Sequence, residues 1–345
     1  MRHSLRAALN SVVAVAAFAS LALAPIRLIA QEGAAQPAAA PVESSTVMAT
    51  PMTAESMAEM QHEAKPAAED FITPHITDSR FLEIPWPNSH FAKELELPQF
   101  APVSIGGMEV DLSPTKHVVF MLLAATLAAV LLITAAGASR TQHAAGGSPR
   151  GFAAGIEALA LYLRNEVVLP NVGEHGEKFV PFALTLFFFI LCCNLLGLIP
   201  YGSTATGNVS VTATLAIITA IVVELAGIRA NGVGYLSTLF YWNKDLPIVM
   251  RVVMFFVMSP VEMVGKLSKP FALTIRLFAN MTAGHIVLLA IIGLIFTFQS
   301  VLIAGVPVLM ATAISMLELF VSFLQAFIFT LLACVFIGQM RASHH

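Results

Sequence analysis

Charge is what this sequence has least of. Only 11% of its 345 residues are Asp, Glu, Lys or Arg, against about 25% in soluble domains. That scarcity, with 57% hydrophobic residues and a mean hydropathy of +0.80, excludes a soluble globular domain and points to an integral membrane protein. A basic excess is also missing. The net charge is -3, and much of the acid lies in the N-terminal hundred residues, so nothing supports a nucleic-acid partner. Cysteine is sparse as well. Cys192, Cys193 and Cys334 all sit in apolar runs, two of them adjacent and without a Cys-x-x-Cys pair. This argues against a disulfide framework or zinc site and leaves packing residues. His62, His75 and His90 are too scattered to hold a metal, and no cofactor or metal is expected.

What is present divides into four parts. Residues 1–30 carry Arg2, His3 and Arg6, an apolar stretch from about Val12 to Leu23, then small residues. This is the layout of a secretory signal peptide, with Ala24 or Ala30 as cleavage points. The alternative is an uncleaved anchor, against which Pro25 and Arg27 stand. Residues 31–70, rich in Ala, Pro, Ser, Thr, Met and Glu, read as a disordered linker. Residues 71–115 alternate prolines, aromatics and charges and read as a small extracytoplasmic cap with some strand. Residues 116–341 form the membrane domain.

Within that domain the apolar runs predict spans at about 118–136, 179–201 and 209–228, followed by two long helices over about 246–298 and 302–339. Pro260 and Pro270 read as kinks in one element rather than breaks. Between the first two spans, Ile156, Leu159, Leu163 and Val167 recur at helical spacing, predicting an amphipathic helix at the membrane interface over 152–169. The fold class is thus all-α and membrane-integral. About five spans are expected, including a long, steeply tilted C-terminal hairpin, plus one interfacial helix, after an extramembrane N-terminal extension. Basic residues gather at 139–178, 229–251 and Arg341, and the turns at 202–208 and 299–301 have none. The positive-inside rule then puts the C-terminus in the cytoplasm and the N-terminal cap outside.

A helix over 302–339 would be about 57 Å long at 1.5 Å per residue. Against a hydrocarbon core of about 30 Å it must tilt by about 55–60°. Two such helices present a broad lateral face to a partner. Ser315, Glu318, Ser322 and Gln325 form one polar stripe on the last helix, and the preceding one carries Glu262, Arg276, Asn280 and His285. In an antiparallel hairpin turning near Gln299-Ser300, residues at equal depth have nearly constant index sums. That pairs Arg276 with Gln325, His285 with Glu318, and Glu262 with Gln339. An arginine near the middle of a membrane helix costs about 2.5–3.5 kcal/mol on insertion scales, and it cannot shed its proton. The partner matched to Arg276 is uncharged. Its anion is therefore expected on another subunit.

The order and content of four motifs make the chain similar to subunit a of the membrane sector of F-type ATP synthases. They are Asn194-Leu-Leu-Gly-Leu-Ile-Pro200; Asn208-Val-Ser; Ser268-Lys-Pro with Arg276-Leu-Phe-Ala-Asn280-Met; and Leu324-Gln325-Ala-Phe-Ile-Phe. The match covers about residues 115–340. The resemblance implies a proton-translocating stator without a nucleotide site of its own. Its partners would be a ring of c subunits with buried carboxylates, b-type peripheral-stalk subunits, the rest of the synthase and membrane lipid, in a bacterial inner membrane. Carried over by position, Arg276 is the essential cation, with Gln325 and Asn280 its polar neighbours. His285, Glu318, Asn194, Asn208 and Ser322 line the outer half-channel, and Glu262 and Ser268 the inner one. The histidine and glutamate occupy each other's places relative to the enteric bacterial form, as in the mitochondrial one. An acidic position of some members is Gly197 here. A secondary transporter binding an anion at Arg276 is the competing class, although no inverted repeat accompanies it.

Overall fold

The computed structural model describes residues 78–84, 93–100, 103–105, 108–110, 113–144, 150–199, 202–235, 247–298 and 301–342. The expected signal peptide at 1–30, the linker at 31–70 and the Gln299-Ser300 turn lie outside them.

Among the described residues, two short antiparallel hairpins precede the first long helix. Strand β1 (Phe81–Ile84) pairs with β2 (Lys93–Glu96), Phe81 opposite Glu96. Strand β3 (Val103–Ile105) pairs with β4 (Met108–Val110), Val103 opposite Val110. The first hairpin is tied to the membrane domain through backbone: the Lys116 amide donates to the Ser79 carbonyl at 3.0 Å.

Seven α-helices follow among the described residues. Helix α1 is Lys116–Ala144 and α2 is Phe152–Tyr162. A π-helical turn, Leu163–Val168, joins α2 to the short α3, Leu169–Val172. The wide turn sits just before Pro170, whose ring would meet the carbonyl four residues back in a regular helix. Gly173, at φ 76°, ends this helix, using the left-handed freedom that glycine has and other residues lack. Helix α4 is Val180–Gly197, α5 is Val209–Asn231, α6 is Ile248–Phe298 and α7 is Val301–Arg341. Among the described residues, five helices are long and apolar enough to cross a membrane: α1, α4, α5, α6 and α7. The all-α membrane architecture expected from the apolar runs is thus present. Helix α6 runs unbroken for 51 residues through Pro260 and Pro270.

Helix α4 is the core. Phe187, Phe188, Phe189 and Ile190 are all buried, and a helix buried on consecutive positions must be enclosed all round. Helices α1 and α7 and the π-turn enclose it. Hydroxyls in this apolar interior bond to their own helices: Thr214 donates to Ser210 O at 2.7 Å, Thr219 to Leu215 O at 2.8 Å and Thr330 to Ala326 O at 2.9 Å. With no water nearby, an unpaired hydroxyl costs more than the slight bend such a bond imposes. The three cysteines are free and buried in this packing. Helices α6 and α7 pack on each other and on α5. Much of their remaining surface is open and apolar, including Phe256, Leu267, Phe271, Leu309 and Phe320.

Two contacts fix the end of α1 and the end of α7. Glu157 of α2 accepts from Ser139 and lies 3.1 Å from His143 Nε2. The Ser139 hydroxyl and then His143 hold the Glu157 carboxyl below its usual 4.5. Arg341 donates to the carbonyls of Val172 at 3.2 Å and Glu174 at 2.5 Å, placing a cation at the C-terminal end of α3 where carbonyls are unpaired. Beside it Gly338 touches α3 so closely that an added Cβ would lie 1.9 Å from Asn171 O.

Two predictions follow from these contacts. Gly338→Ala should cost about 1–3 kcal/mol through overpacking, seen as a lower unfolding midpoint of the solubilised protein. Gly137→Ala, with nothing within 4 Å of the new methyl, should show no such loss. The Glu157 clip should be fully formed above pH 4.5, the unfolded carboxyl value, and be lost as pH falls through the lowered folded value. Hydrogen exchange across 136–160 on acidification checks this; protection that is flat with pH would contradict it.

Candidate functional site

The polar stripe of α7 points into the protein. Glu318, Ser322 and Gln325 are buried and Ser315 is half-buried. Ser315 and Ser322 turn their hydroxyls back to Ala311 O and Glu318 O, each at 2.9 Å. Glu318 faces α6, where His285 Nδ1 lies 3.4 Å from its Oε1. Neither carboxyl oxygen of Glu318 has a hydrogen bond to a described residue. The second tier expected from the antiparallel register is therefore present, 33 positions apart in the chain.

Two glycines make room for this pair. A Cβ on Gly284 would lie 2.5 Å from Glu318 Oε1. A Cβ on Gly197, at the end of α4, would lie 2.4 Å from Thr204 Cβ and 3.1 Å from His285 Nε2. A side chain at position 197 is thus sterically excluded: the histidine and the Thr204 segment occupy its space.

Around the pair lies a hydrogen-bonded cluster. Asn194 is fully buried. Its amide donates to Ser322 O at 3.2 Å, and its Oδ1 accepts from Thr206 at 2.6 Å. Thr206 and Thr204 share a hydrogen bond of 2.8 Å, and Thr204 reaches Cys193 O at 3.4 Å. The cluster joins α4, the turn at 202–208 and α7, with His285 of α6 at its side. Asn208 stands apart. Its Oδ1 accepts from the Ser210 amide at 2.9 Å as the N-cap of α5, a bond typical of Asn at that position.

Arg276 lies on the other side of α6. It is exposed, as are Asn280, one turn on, and Ala272, Ala279 and Ala283. Among described residues Arg276 has no ion pair or hydrogen bond. Gln325, its expected partner on α7, is buried and makes no side-chain hydrogen bond among described residues. The structure does not join the two directly.

The third expected tier is replaced. Glu262 is exposed, and Gln339 Oε1 accepts instead from Lys269 Nζ at 3.2 Å. Two helices that cross at an angle drift in register along their length, and a long lysine stem reaches a full turn further. Ser268 is exposed and donates to Gly265 O at 2.9 Å. The charge beside this region is paired: Lys266 Nζ donates to Tyr235 Oη at 2.8 Å and lies 3.5 Å from Glu224 Oε2, while Tyr235 bonds to Glu224. A half-buried lysine is tolerable there because acid, phenol and ring face stabilise it together.

Sequence reasoning missed Thr204 and Thr206, which join the cluster, and the chain Asp78–His117–Ser203 at the N-terminal end of α1. Asp78 Oδ1 is 3.0 Å from His117 Nδ1, and Ser203 Oγ is 3.4 Å from His117 Nε2. A histidine at the first turn of an apolar span was the available signal.

The family model described as ATP synthase A chain matches residues 118–338. ATP synthase subunit a 2 of Chlorobaculum tepidum is 44% identical over 294 residues, covering 84% of this chain and 78% of that protein. ATP synthase subunit a of Chloroherpeton thalassium is 46% identical over 243 residues, covering 70% of each. That of Pelodictyon phaeoclathratiforme is 40% identical over 307 residues, covering 88% of this chain and 85% of the relative. With the five apolar helices, these likenesses show that the chain belongs to the ATP synthase A chain family, subunit a of F-type ATP synthases, and is a multi-pass membrane protein of that complex.

Proposed function

We propose that this chain is the proton-translocating stator of the membrane sector, with Arg276 dividing an outer from an inner half-channel. The observation that carries the reading is the split of polar groups across α6. His285 and Glu318 form a buried pair with carboxyl oxygens still free to exchange protons. Arg276, nine residues away and about 13.5 Å along the axis, faces outward with no acid among the described residues. Fixed charge without a counter-ion on an apolar surface calls for a carboxylate from a partner.

That partner is a ring of c subunits docking on the open face of α6. A carboxylate 4 Å from Arg276 gains about 4 kcal/mol at an effective dielectric of 20, which favours proton release as it arrives. The small residues Ala272, Ala279 and Ala283 let a ring helix approach, and Asn280 lies beside the cation. Gln325, on the neighbouring helix, is the neutral amide matched to it in depth. A fixed cation also repels protons that would otherwise pass straight between the two paths.

The outer path uses His285, Glu318, Ser322 and Asn194, with Asn208 capping the helix that borders it. The inner path uses Glu262 and Ser268. Glu262 lies almost four whole turns before Arg276, so both share one helix face. Histidine suits the carriage of H⁺, since its ordinary pKa is near neutral. We further place b-type stalk subunits among the partners, the N-terminus outside a bacterial inner membrane, the C-terminus in the cytoplasm, 1–30 as a cleaved signal, 31–70 as a linker and 71–115 as an outer cap.

Arg276→Ala should abolish ATP-driven proton pumping in vesicles while the complex stays assembled; full coupling in that variant would overturn the reading. The paired exchange His285→Glu with Glu318→His should carry more proton flux than either single change. A double variant no better than the worse single would show that the two residues do not act as a relay.

A further inference from the structure

The N-terminal segment is pinned to the membrane domain through a histidine. His117 is 3% exposed, in the first turn of α1, and both ring nitrogens are engaged. Nδ1 lies 3.0 Å from Asp78 Oδ1, and Nε2 lies 3.4 Å from the Ser203 hydroxyl. The His117 amide also donates to Asp78 Oδ1 at 3.4 Å. Burial pushes the Asp78 carboxyl up, but hydrogen bonds from His117 and its charge outweigh that and hold it below 3.8.

Three segments far apart in sequence meet here: the residues before β1, the start of α1, and the turn between α4 and α5. A pin for the N-terminal segment needs only the Asp78 contact and the backbone bond from Lys116 to Ser79. It gives no reason for the second ring nitrogen to face a serine that is 6% exposed. That serine is next to Thr204, whose hydroxyl leads through Thr206 to Asn194 by bonds of 2.8 and 2.6 Å. Asn194 touches Ser322 O, and both Thr204 and His285 lie within 3.1 Å of the space above Gly197.

We propose that Asp78, His117 and Ser203 form the entry of the outer proton path, collecting protons beside the N-terminal segment and passing them to the Thr204–Thr206–Asn194 cluster and His285. The inference rests on the proton-translocating reading and extends it to a segment ahead of the membrane spans. Each transfer is a plain proton exchange. Asp78 gives a proton to Nδ1, the imidazolium releases one from Nε2 to the Ser203 oxygen, and the serine passes its own onward, so no electrons or heavy atoms change hands. The step from Ser203 to Thr204 lacks a direct hydrogen bond and runs through water. Arg80 and Lys116 are the charged neighbours in sequence. The other elements packed on this end of α1, α4 and the turn Ala205–Gly207, bring no Asp, Glu, Lys or Arg.

The test uses the complete membrane sector in vesicles, with passive H⁺ flux driven by an imposed potential. His117→Ala should lower flux at least tenfold with the chain still in the complex, and imidazole added on the N-terminal side should restore part of it. Asp78→Asn, which keeps the shape and removes the charge, should lower flux severalfold and flatten its dependence on outer pH. Wild-type flux in both variants would overturn the entry. Should His117→Ala fail to assemble, Asp78→Asn and Ser203→Ala decide: reduced flux supports the path, and unchanged flux in both removes it. A wild-type sector that conducts no protons would refute the translocating role itself, an outcome distinct from wild-type conduction that ignores these substitutions.

Discussion

An arginine cannot give up its charge at any pH a cell reaches, and Arg276 stands on the outer face of an apolar helix with no acid of the described chain beside it. The rest of the fold makes sense around that constraint. The two lysines of the hairpin are dealt with internally: Lys266 by Glu224 and Tyr235, Lys269 by Gln339 and the Phe336 ring 4.9 Å away. Arg276 is left open, with small side chains around it. A hairpin that pairs Lys266 and Lys269 yet leaves Arg276 open fits the proposal that this charge is met from outside.

The remaining helices supply rigidity and a polar interior on the opposite side of α6. The phenylalanines of α4 make a solid core, and its last turn, with Asn194 and Gly197, reaches the His285–Glu318 pair. Glycine has two uses here, at 284 and 197, both of them to admit a side chain from another helix. Gly197 and His285 are therefore linked: a side chain at 197 and the histidine would compete for one volume.

Much of this was legible in the residues. Long apolar runs dictate membrane helices whatever the rest of the chain does, so the five spans and their approximate ends could be read directly. The His285–Glu318 contact could be read because an antiparallel hairpin fixes depth by simple counting. The same counting failed for Glu262 and Gln339, since helix crossing and a long lysine side chain shift contacts by a turn or more. The burial of Asn194 against Thr206, and the Asp78–His117–Ser203 chain, were out of reach for another reason. Their partners are 12, 39 and 86 positions apart, and no periodicity links a turn or an extended segment to the helix it meets.

The most direct test of the central claim is passive proton flux through vesicles carrying the membrane sector with Arg276→Ala. If the cation divides two half-channels, its removal should open an uncoupled proton leak under an imposed potential while the ring no longer drives transport. Membranes that remain as tight as those of the unmodified, ring-blocked sector would contradict the account and leave Arg276 without a separating role.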